Sequence, residues 1–254
     1  MERVTGLPTL LLHRRLIATL AIVLVVTGTP SRALGLTSHE RSAVAPVPCS
    51  VLANSVRGAA HANELITVVA GSLRSQSAKL SLFRREGACF RLIAGPYSAF
   101  VGVNGLSMHH HEGDRTTPIG LFGISTTMYG IEPNPGVSYH YHQLVCGDWW
   151  DEDPRSVQYN HFVHVTCGTS PPFAGNSEAL WEKTPQYDYF ASISYNVQPV
   201  VAGRGSAIFL HVAKGDPTTG CVSIARVNLV TVLRLLAPNL HPLIDITTAQ
   251  LLGG

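Results

Sequence analysis

From residue 64 onward, hydrophobic and polar positions follow the two-residue period of β-strands. Residues 65–70 form a short, β-branched apolar run, and residues 79–85 alternate polar with apolar side chains, as a half-buried strand does. The same pattern predicts further strands at residues 89–93, 99–103 and 207–212. The Gly-Pro pair at residues 95–96 predicts a turn. Strands of this length and spacing predict a mostly antiparallel β-sandwich or barrel.

One stretch near the C-terminus has a clear helical period. Its apolar side chains recur at helical spacing, at Val227, Val230, Leu233 and Leu236. We expect this helix to begin between residues 223 and 228 and to end before Pro238. A weaker helical pattern covers residues 177–181. The chain is therefore predicted to be a mostly β domain with one clear helix late in the sequence.

The N-terminal segment has the features of an export signal. His13, Arg14 and Arg15 precede an apolar run at residues 16–26, and small residues follow where a signal peptidase cuts, at residues 31–33. Because this run is too short to span about 30 Å of hydrocarbon comfortably, a cleaved signal is favoured over an uncleaved anchor. We expect a signal peptide at 1–33, a linker or loosely packed lead-in at 34–62, and a folded domain at 63–250.

Composition changes this picture in two ways. A net charge of +2 with few lysines gives no basic surface for nucleic acid, so no nucleic-acid partner is expected. The five cysteines are an odd number. After export, two disulfides could form in any of three pairings among Cys49, Cys89, Cys146 and Cys167. The alternative is that some of these cysteines are buried free thiols.

Cys221 differs from the other cysteines because it follows Gly220 and precedes the predicted late helix. A helix N-terminus carries partial positive charge that lowers a nearby thiol pKa, and the amides of Gly220 and Cys221 could form an oxyanion hole. His211 lies ten residues earlier, at the end of a predicted strand, and could supply the base that a thiol nucleophile needs. A buried free thiol near a strand-end histidine is the alternative interpretation.

Ordered motif blocks run through most of the chain. They are Glu112-Gly113-Asp114 with Thr117-Pro118-Ile119-Gly120 and Phe122; Asp148-Trp149-Trp150 with Asp153-Pro154, Ser156 and Tyr159-Asn160; Ser177-Glu178; Tyr195-Asn196; Gly203 with Gly205-Ser206-Ala207-Ile208-Phe209-Leu210-His211; and Thr218-Thr219-Gly220-Cys221-Val222. In this order, and over about residues 65–246, the blocks resemble the L,D-transpeptidase (YkuD-type) catalytic domain family.

The resemblance implies a mostly β fold, a β-sandwich with mixed sheets, in which a helix follows the catalytic Cys. It implies an exported cysteine L,D-transpeptidase that acts on peptidoglycan stem peptides and is secreted, periplasmic or associated with the cell wall. Cys221 would attack a stem-peptide carbonyl to form a thioester, and an amine from a neighbouring stem would then complete a 3→3 cross-link. His211 would accept the thiol proton, or already hold it as an imidazolium, with the Val212 carbonyl as its partner.

The resemblance also implies the surroundings of this pair. The residues expected to shape the site or its oxyanion hole are Gly220, Val212, Thr218, Thr219 and Ser223. The residues expected along a substrate groove are Tyr159, Asn160 and Arg226. No metal, no cofactor and no obligate protein partner are expected. Carbapenem-type β-lactams are expected to act as covalent inhibitors.

Three positions depart from the commonest family pattern. Val212 replaces a glycine, Thr219 a histidine, and Ser223 an arginine or asparagine. These departures keep two alternatives open: a non-catalytic cell-wall-binding protein of the same fold, and an L,D-carboxypeptidase that uses water as acceptor. The three histidines at residues 109–111 resemble a metal cluster, but consecutive strand residues point to opposite faces, so we expect no metal there.

Overall fold

The computed structural model describes residues 47–173 and 177–252 of the 254-residue chain. The predicted signal peptide and residues 34–46 of the expected lead-in lie outside the described residues. Within the described residues, no helix is long and apolar enough to cross a membrane.

The described ranges are mostly β, as the alternating pattern predicts. Their strands are β1 (Glu64–Ala70), β2 (Ser77–Glu86), β3 (Cys89–Phe100), β4 (Leu106–Ser107), β5 (Thr117–Pro118), β6 (Gly120–Gly130), β7 (His140–Gln143), β8 (Asp148–Asp151), β9 (His161–His164), β10 (Glu178–Ala179), β11 (Phe190–Ile193), β12 (Phe209–Val212), β13 (Val222–Ile224) and β14 (Leu243–Thr248). Their α-helices are α1 (Val51–Ser55), α2 (Arg226–Leu235) and α3 (Ala249–Leu252).

Eight strands close into a barrel-like sheet. Their order is β11-β12-β13-β3-β2-β1-β14-β6, and β6 pairs back with β11, while β7 adds to the outer side of β6. Most pairs are antiparallel, but β1–β14, β6–β7 and β12–β13 are parallel. The expectation of mixed strand directions is confirmed. Of the sandwich and the barrel that the strand pattern left open, the structure has the barrel-like closed sheet. The sandwich that the family resemblance implies is corrected, because the β6–β11 pairing joins edges that a sandwich leaves open.

Strand β1 is buried on both faces, as its apolar run predicts, whereas β2 alternates between exposed and buried residues only over its first four positions. Ile66, Val68, Leu80 and Leu82 are fully buried in the main core. The predicted turn at residues 95–96 is wrong, because β3 continues through it to Phe100. Its pairing with β2 shifts register between Leu80 and Leu82, which is the signature of a β-bulge. The bulge accommodates the Gly-Pro pair without ending the strand.

The predicted late helix is confirmed as α2, whose Leu229, Val232 and Leu233 are buried. Strand β13 lies between Cys221 and this helix. Cys221 is therefore not at a helix N-terminus, and the predicted influence of the helix on its thiol is wrong. The weaker helical pattern at residues 177–181 is corrected to the short strand β10 followed by one 3-10 turn, Leu180–Glu182.

Two disulfides, Cys49–Cys89 and Cys146–Cys167, select one of the three possible pairings. Cys221 is the free cysteine of the described residues. The first disulfide ties the N-terminal segment to β3, and Ala53 of α1 is buried in a small cluster with Leu65 and Phe90. The packed part of the chain therefore begins before the expected boundary at residue 63.

A small second sheet, ordered β10-β8-β9, lies beside β12. The second disulfide joins the two ends of the β8–β9 hairpin. The Trp150 ring of β8 packs edge-on against Phe209 of β12, with ring centroids 4.8 Å apart. This contact fixes the second sheet against the strand that carries His211.

Candidate active site

Cys221 and His211 lie on neighbouring parallel strands. His211 belongs to β12, where it is in register with Ser223, and Cys221 immediately precedes β13. Both residues are buried, with 6% and 7% of the surface of His211 and Cys221 exposed. Both line a cavity of about 200 Å³, which we call the His211 cavity. The structure thus brings together the two residues that the sequence selected.

A backbone carbonyl orients the His211 ring. Nδ1 lies 2.9 Å from the carbonyl oxygen of Val212, the partner that the family resemblance implies. Because a carbonyl only accepts, Nδ1 carries the hydrogen and Nε2 keeps its lone pair. Burial lowers the pKa of His211 to about 4. The resting ring is therefore a neutral base, not an imidazolium.

The thiol of Cys221 is neutral as well. Sγ donates to the carbonyl of Ala207 over 3.2 Å and accepts from the amide of Phe209 over 3.4 Å. Burial raises the pKa of Cys221 well above its ordinary value, and the carboxylate of Glu178 adds to the rise. The lowered thiol pKa expected from a helix N-terminus is wrong, because the thiol is buried and strand β13 separates it from the helix.

The turn before Cys221 is fixed by threonine hydroxyls. Thr218 Oγ1 donates to the Cys221 carbonyl over 2.6 Å and accepts from the Gly220 amide over 3.2 Å. Gly220 has φ of +151°, a conformation that L side chains rarely adopt. The Gly220 amide, a predicted oxyanion donor, is thus engaged by Thr218 at rest. Thr219 is exposed at the rim of the site.

A second cavity of about 320 Å³ also reaches Cys221; we call it the His110 cavity. The two cavities share Glu178, Tyr187, Thr219 and Cys221 in their linings. Their histidines differ, because His211 lines only the first cavity and His110 only the second of this pair. One thiol is therefore accessible from two neighbouring spaces.

Three glutamates give the His110 cavity an acidic wall: Glu112, Glu152 and Glu178. Burial raises the pKa of Glu152 to about 9, and the charges of Glu178 and Glu112 add to the rise. Tyr187 donates a hydrogen bond to Glu178. Sequence reasoning missed Glu152 and Tyr187, and it gave no role to the two glutamates that its motif blocks contained.

Tyr159 and Asn160 support the site from behind. Neither lines the two cavities at Cys221. Tyr159 donates to Glu112 and accepts from the Gly205 amide over 3.1 Å. Asn160 Oδ1 accepts from the Ala207 amide over 3.0 Å. These contacts hold the segment that contains Ala207, whose carbonyl accepts the hydrogen bond from the Cys221 thiol. The two residues expected along the groove therefore support this segment from behind the cavities.

Arg226, the third expected groove residue, lies outside both cavities. It pairs with Asp188 and, over 3.7 Å, with Glu132. Ser223 does line the His211 cavity, where its hydroxyl is buried and has no hydrogen-bond partner among the described residues. No cluster of three or more His, Cys, Asp or Glu in the described part of the chain is placed to hold a metal ion.

No protein-family model matches the chain, and no curated protein sequence matches it. Among solved structures, the chain is similar to the helical cell shape determining protein Pgp2 from Campylobacter jejuni, with 11% identity and a TM-score of 0.34. The aligned region covers 77% of this chain and 53% of the other, so the chain spans about half the length of that protein. A similarity of this size assigns neither a fold family nor a function.

Proposed function

We propose that the protein is an exported cysteine L,D-transpeptidase that acts on peptidoglycan stem peptides. The observation that carries the proposal is the placement of Cys221 and His211 in one cavity. The Val212 carbonyl holds the imidazole so that its Nε2 lone pair is available to take a proton. The ordered motif blocks that resemble this enzyme family supply the substrate class.

The proposed reaction starts from a neutral thiol and a neutral imidazole, because burial disfavours both charged forms. Nε2 of His211 takes the proton as Sγ of Cys221 forms a bond to the carbonyl carbon of the third stem residue. The imidazolium then protonates the leaving terminal D-amino acid, and a thioester remains on Cys221. An amine of a neighbouring stem attacks the thioester, which releases the thiol and forms a 3→3 cross-link.

Two alternatives use the same site differently. An L,D-carboxypeptidase would form the same thioester and transfer it to water. A non-catalytic cell-wall-binding protein is favoured by the burial of Cys221, whose thiol is already hydrogen-bonded to Ala207. Val212 and Ser223, which depart from the family pattern, point in the same direction.

Incubation of the full chain with disaccharide-tetrapeptides separates these functions. We expect release of the terminal D-amino acid together with a cross-linked dimer, both measured by mass spectrometry. Cys221→Ala should abolish release, and His211→Asn should slow it by roughly 10²- to 10⁴-fold. Thr231→Ala, on the exposed face of α2, is the control and should leave release unchanged. Free tripeptide without dimer would assign the carboxypeptidase instead.

A covalent probe tests the thiol independently of the acceptor. We expect the intact mass of the wild-type chain to increase by one carbapenem, and that of Cys221→Ala to stay unchanged. Retention on peptidoglycan sacculi with neither adduct nor release would overturn the enzyme assignment in favour of the wall-binding alternative.

A further inference from the structure

A second histidine, His110, lies beside the thiol and has no part in the acylation described above. It is the one buried member of the three consecutive histidines, with 7% of its surface exposed, whereas His109 and His111 are exposed. It lines the His110 cavity together with Cys221 and Gly220. The three histidines therefore differ in environment, and the middle one faces the candidate site.

The orientation of the His110 ring is fixed on one edge. Nδ1 lies 2.9 Å from Asp114 Oδ1 and 3.0 Å from Thr116 Oγ1. Burial alone would raise the pKa of Asp114, but hydrogen bonds from the Thr116 and His111 amides hold it below its usual value. Asp114 is therefore an anion that accepts the Nδ1 hydrogen, which leaves the lone pair of His110 on Nε2.

Two glycines let the opposite edge of the ring approach the backbone closely. A Cβ atom on Gly205 would lie 2.4 Å from Nε2 of His110, a distance that real Cβ atoms do not show. A Cβ atom on Gly220 would lie 3.8 Å from Cε1 of the same ring. Gly220 is the residue before Cys221, so Cε1, the ring atom between the two nitrogens, lies near the nucleophile turn.

The two cavities separate the two histidines. A group that enters the His110 cavity reaches Cys221 without meeting His211, because His211 does not line that space. The carboxyl groups of Glu112, Glu152 and Glu178 line the same space, where their oxygens can accept hydrogen bonds from an amine. An ammonium group gives one proton to solvent to become the nucleophilic amine, and the amine loses a second proton as it forms the amide bond; a base within this cavity is needed for the second transfer.

We propose that His110, anchored by Asp114, is the general base that activates the acyl acceptor in the His110 cavity. This inference rests on the proposed function and adds a second base to it. The acceptor nitrogen forms a bond to the thioester carbonyl carbon while Nε2 of His110 takes its proton. The carbon–sulfur bond then breaks, and its electron pair stays on Sγ of Cys221. The thiolate regains a proton from the imidazolium through solvent, so both groups end neutral.

The test uses the full chain and divides the reaction into its two halves. His110→Asn keeps a side-chain N–H at the position of Nδ1, and so the contact to Asp114, but it removes the base. His109→Asn is the matched control, since it changes the exposed neighbouring histidine. Quenched samples give the amount of acyl-enzyme on Cys221 by intact mass and the amount of cross-linked dimer by chromatography.

We expect His110→Asn to form the acyl-enzyme within about twofold of the wild-type rate and to transfer it roughly 10²- to 10⁴-fold more slowly, so that acyl-enzyme accumulates. Hydroxylamine is an uncharged nucleophile at neutral pH and should discharge the accumulated acyl-enzyme, which a distorted site would not allow. His109→Asn should match the wild type in both halves. If the asparagine variant is unstable in urea, His110→Gln repeats the measurement.

Wild-type transfer in the His110 variants would overturn the inference, as would an equal loss of acylation and transfer, which indicates a structural role. These outcomes differ from a failure of the proposed function itself. In that case the wild-type chain would form no acyl-enzyme, and both proposals would be overturned.

Discussion

Asn160 connects three segments behind the candidate site, and its removal gives a sharp test of how that site is held. Its side chain makes four hydrogen bonds: Oδ1 accepts from Trp150 Nε1 and the Ala207 amide, and Nδ2 donates to the carbonyls of Tyr195 and Asn196. Asn160 is 4% exposed and has φ of +60°, a conformation that asparagine tolerates better than most residues.

The expected cost of Asn160→Ala follows from the groups that it leaves without partners. The buried N–H groups of Trp150 and Ala207 lose their acceptor, and each such loss costs about 1–3 kcal/mol. Alanine in the left-handed conformation adds about 1 kcal/mol. We therefore expect the free energy of unfolding to fall by about 3–7 kcal/mol. Because Ala207 accepts from the Cys221 thiol, we also expect faster alkylation of Cys221.

Urea unfolding, followed by both tryptophan fluorescence and circular dichroism, measures the first effect; agreement of the two probes supports a two-state analysis. The iodoacetamide rate on the native protein, read by intact mass, measures the second. Gln158→Ala removes an exposed amide from the same loop and should change neither quantity. A loss below about 1 kcal/mol for Asn160→Ala would refute the assignment of these bonds as structural support.

Three further predictions follow from single features. Replacing both cysteines of the disulfide that joins the ends of the β8–β9 hairpin with serine should cost about 3 kcal/mol for a separation of 21 residues, measured by urea unfolding. The pKa of His211 is about 4 in the folded chain and about 6.5 in the unfolded chain. Between these two pH values the unfolded chain binds more protons, so the free energy of unfolding falls as the pH falls. Between pH 7 and 4.5, the wild type should lose about 2 kcal/mol more of this free energy than His211→Asn, measured by urea unfolding. Gly205→Ala should destabilise the chain by about 1–3 kcal/mol more than Gly203→Ala, because both glycines have positive φ but only the Gly205 Cβ would collide with His110; equal urea midpoints would contradict this contact.

Local patterns predicted the strands that are rich in apolar and β-branched residues. The β1 segment was found from sequence because its apolar run is buried on both faces, and the β2 segment because its first positions alternate between exposed and buried. The Gly-Pro pair in β3 was misread because a bulge, which depends on the partner strand, absorbs a local turn signal. The order of the strands in the sheet was beyond local patterns, since β1 pairs with β14 at the other end of the chain.

The candidate site divides in the same way. Cys221 and His211 were selected because the ordered motif blocks around them resemble a known enzyme family; their local spacing alone left a buried free thiol as an alternative interpretation. Glu152 and His110 lie in loops far apart in the sequence, yet both line the His110 cavity with Cys221. Nothing in the sequence next to either residue indicates that they share a cavity. The thiol pKa was predicted in the wrong direction because burial, a property of the folded chain, raises it, and because strand β13 separates Cys221 from the helix.

The burial of Cys221 has a consequence for the resistance of its thiol to oxidation. The thiolate form of cysteine is the nucleophile that reacts with peroxides and disulfides, and a buried thiol with a raised pKa offers very little of it. The other four cysteines of the chain are already bonded to one another. The chain can therefore hold one reduced sulfur beside two disulfides without disulfide scrambling.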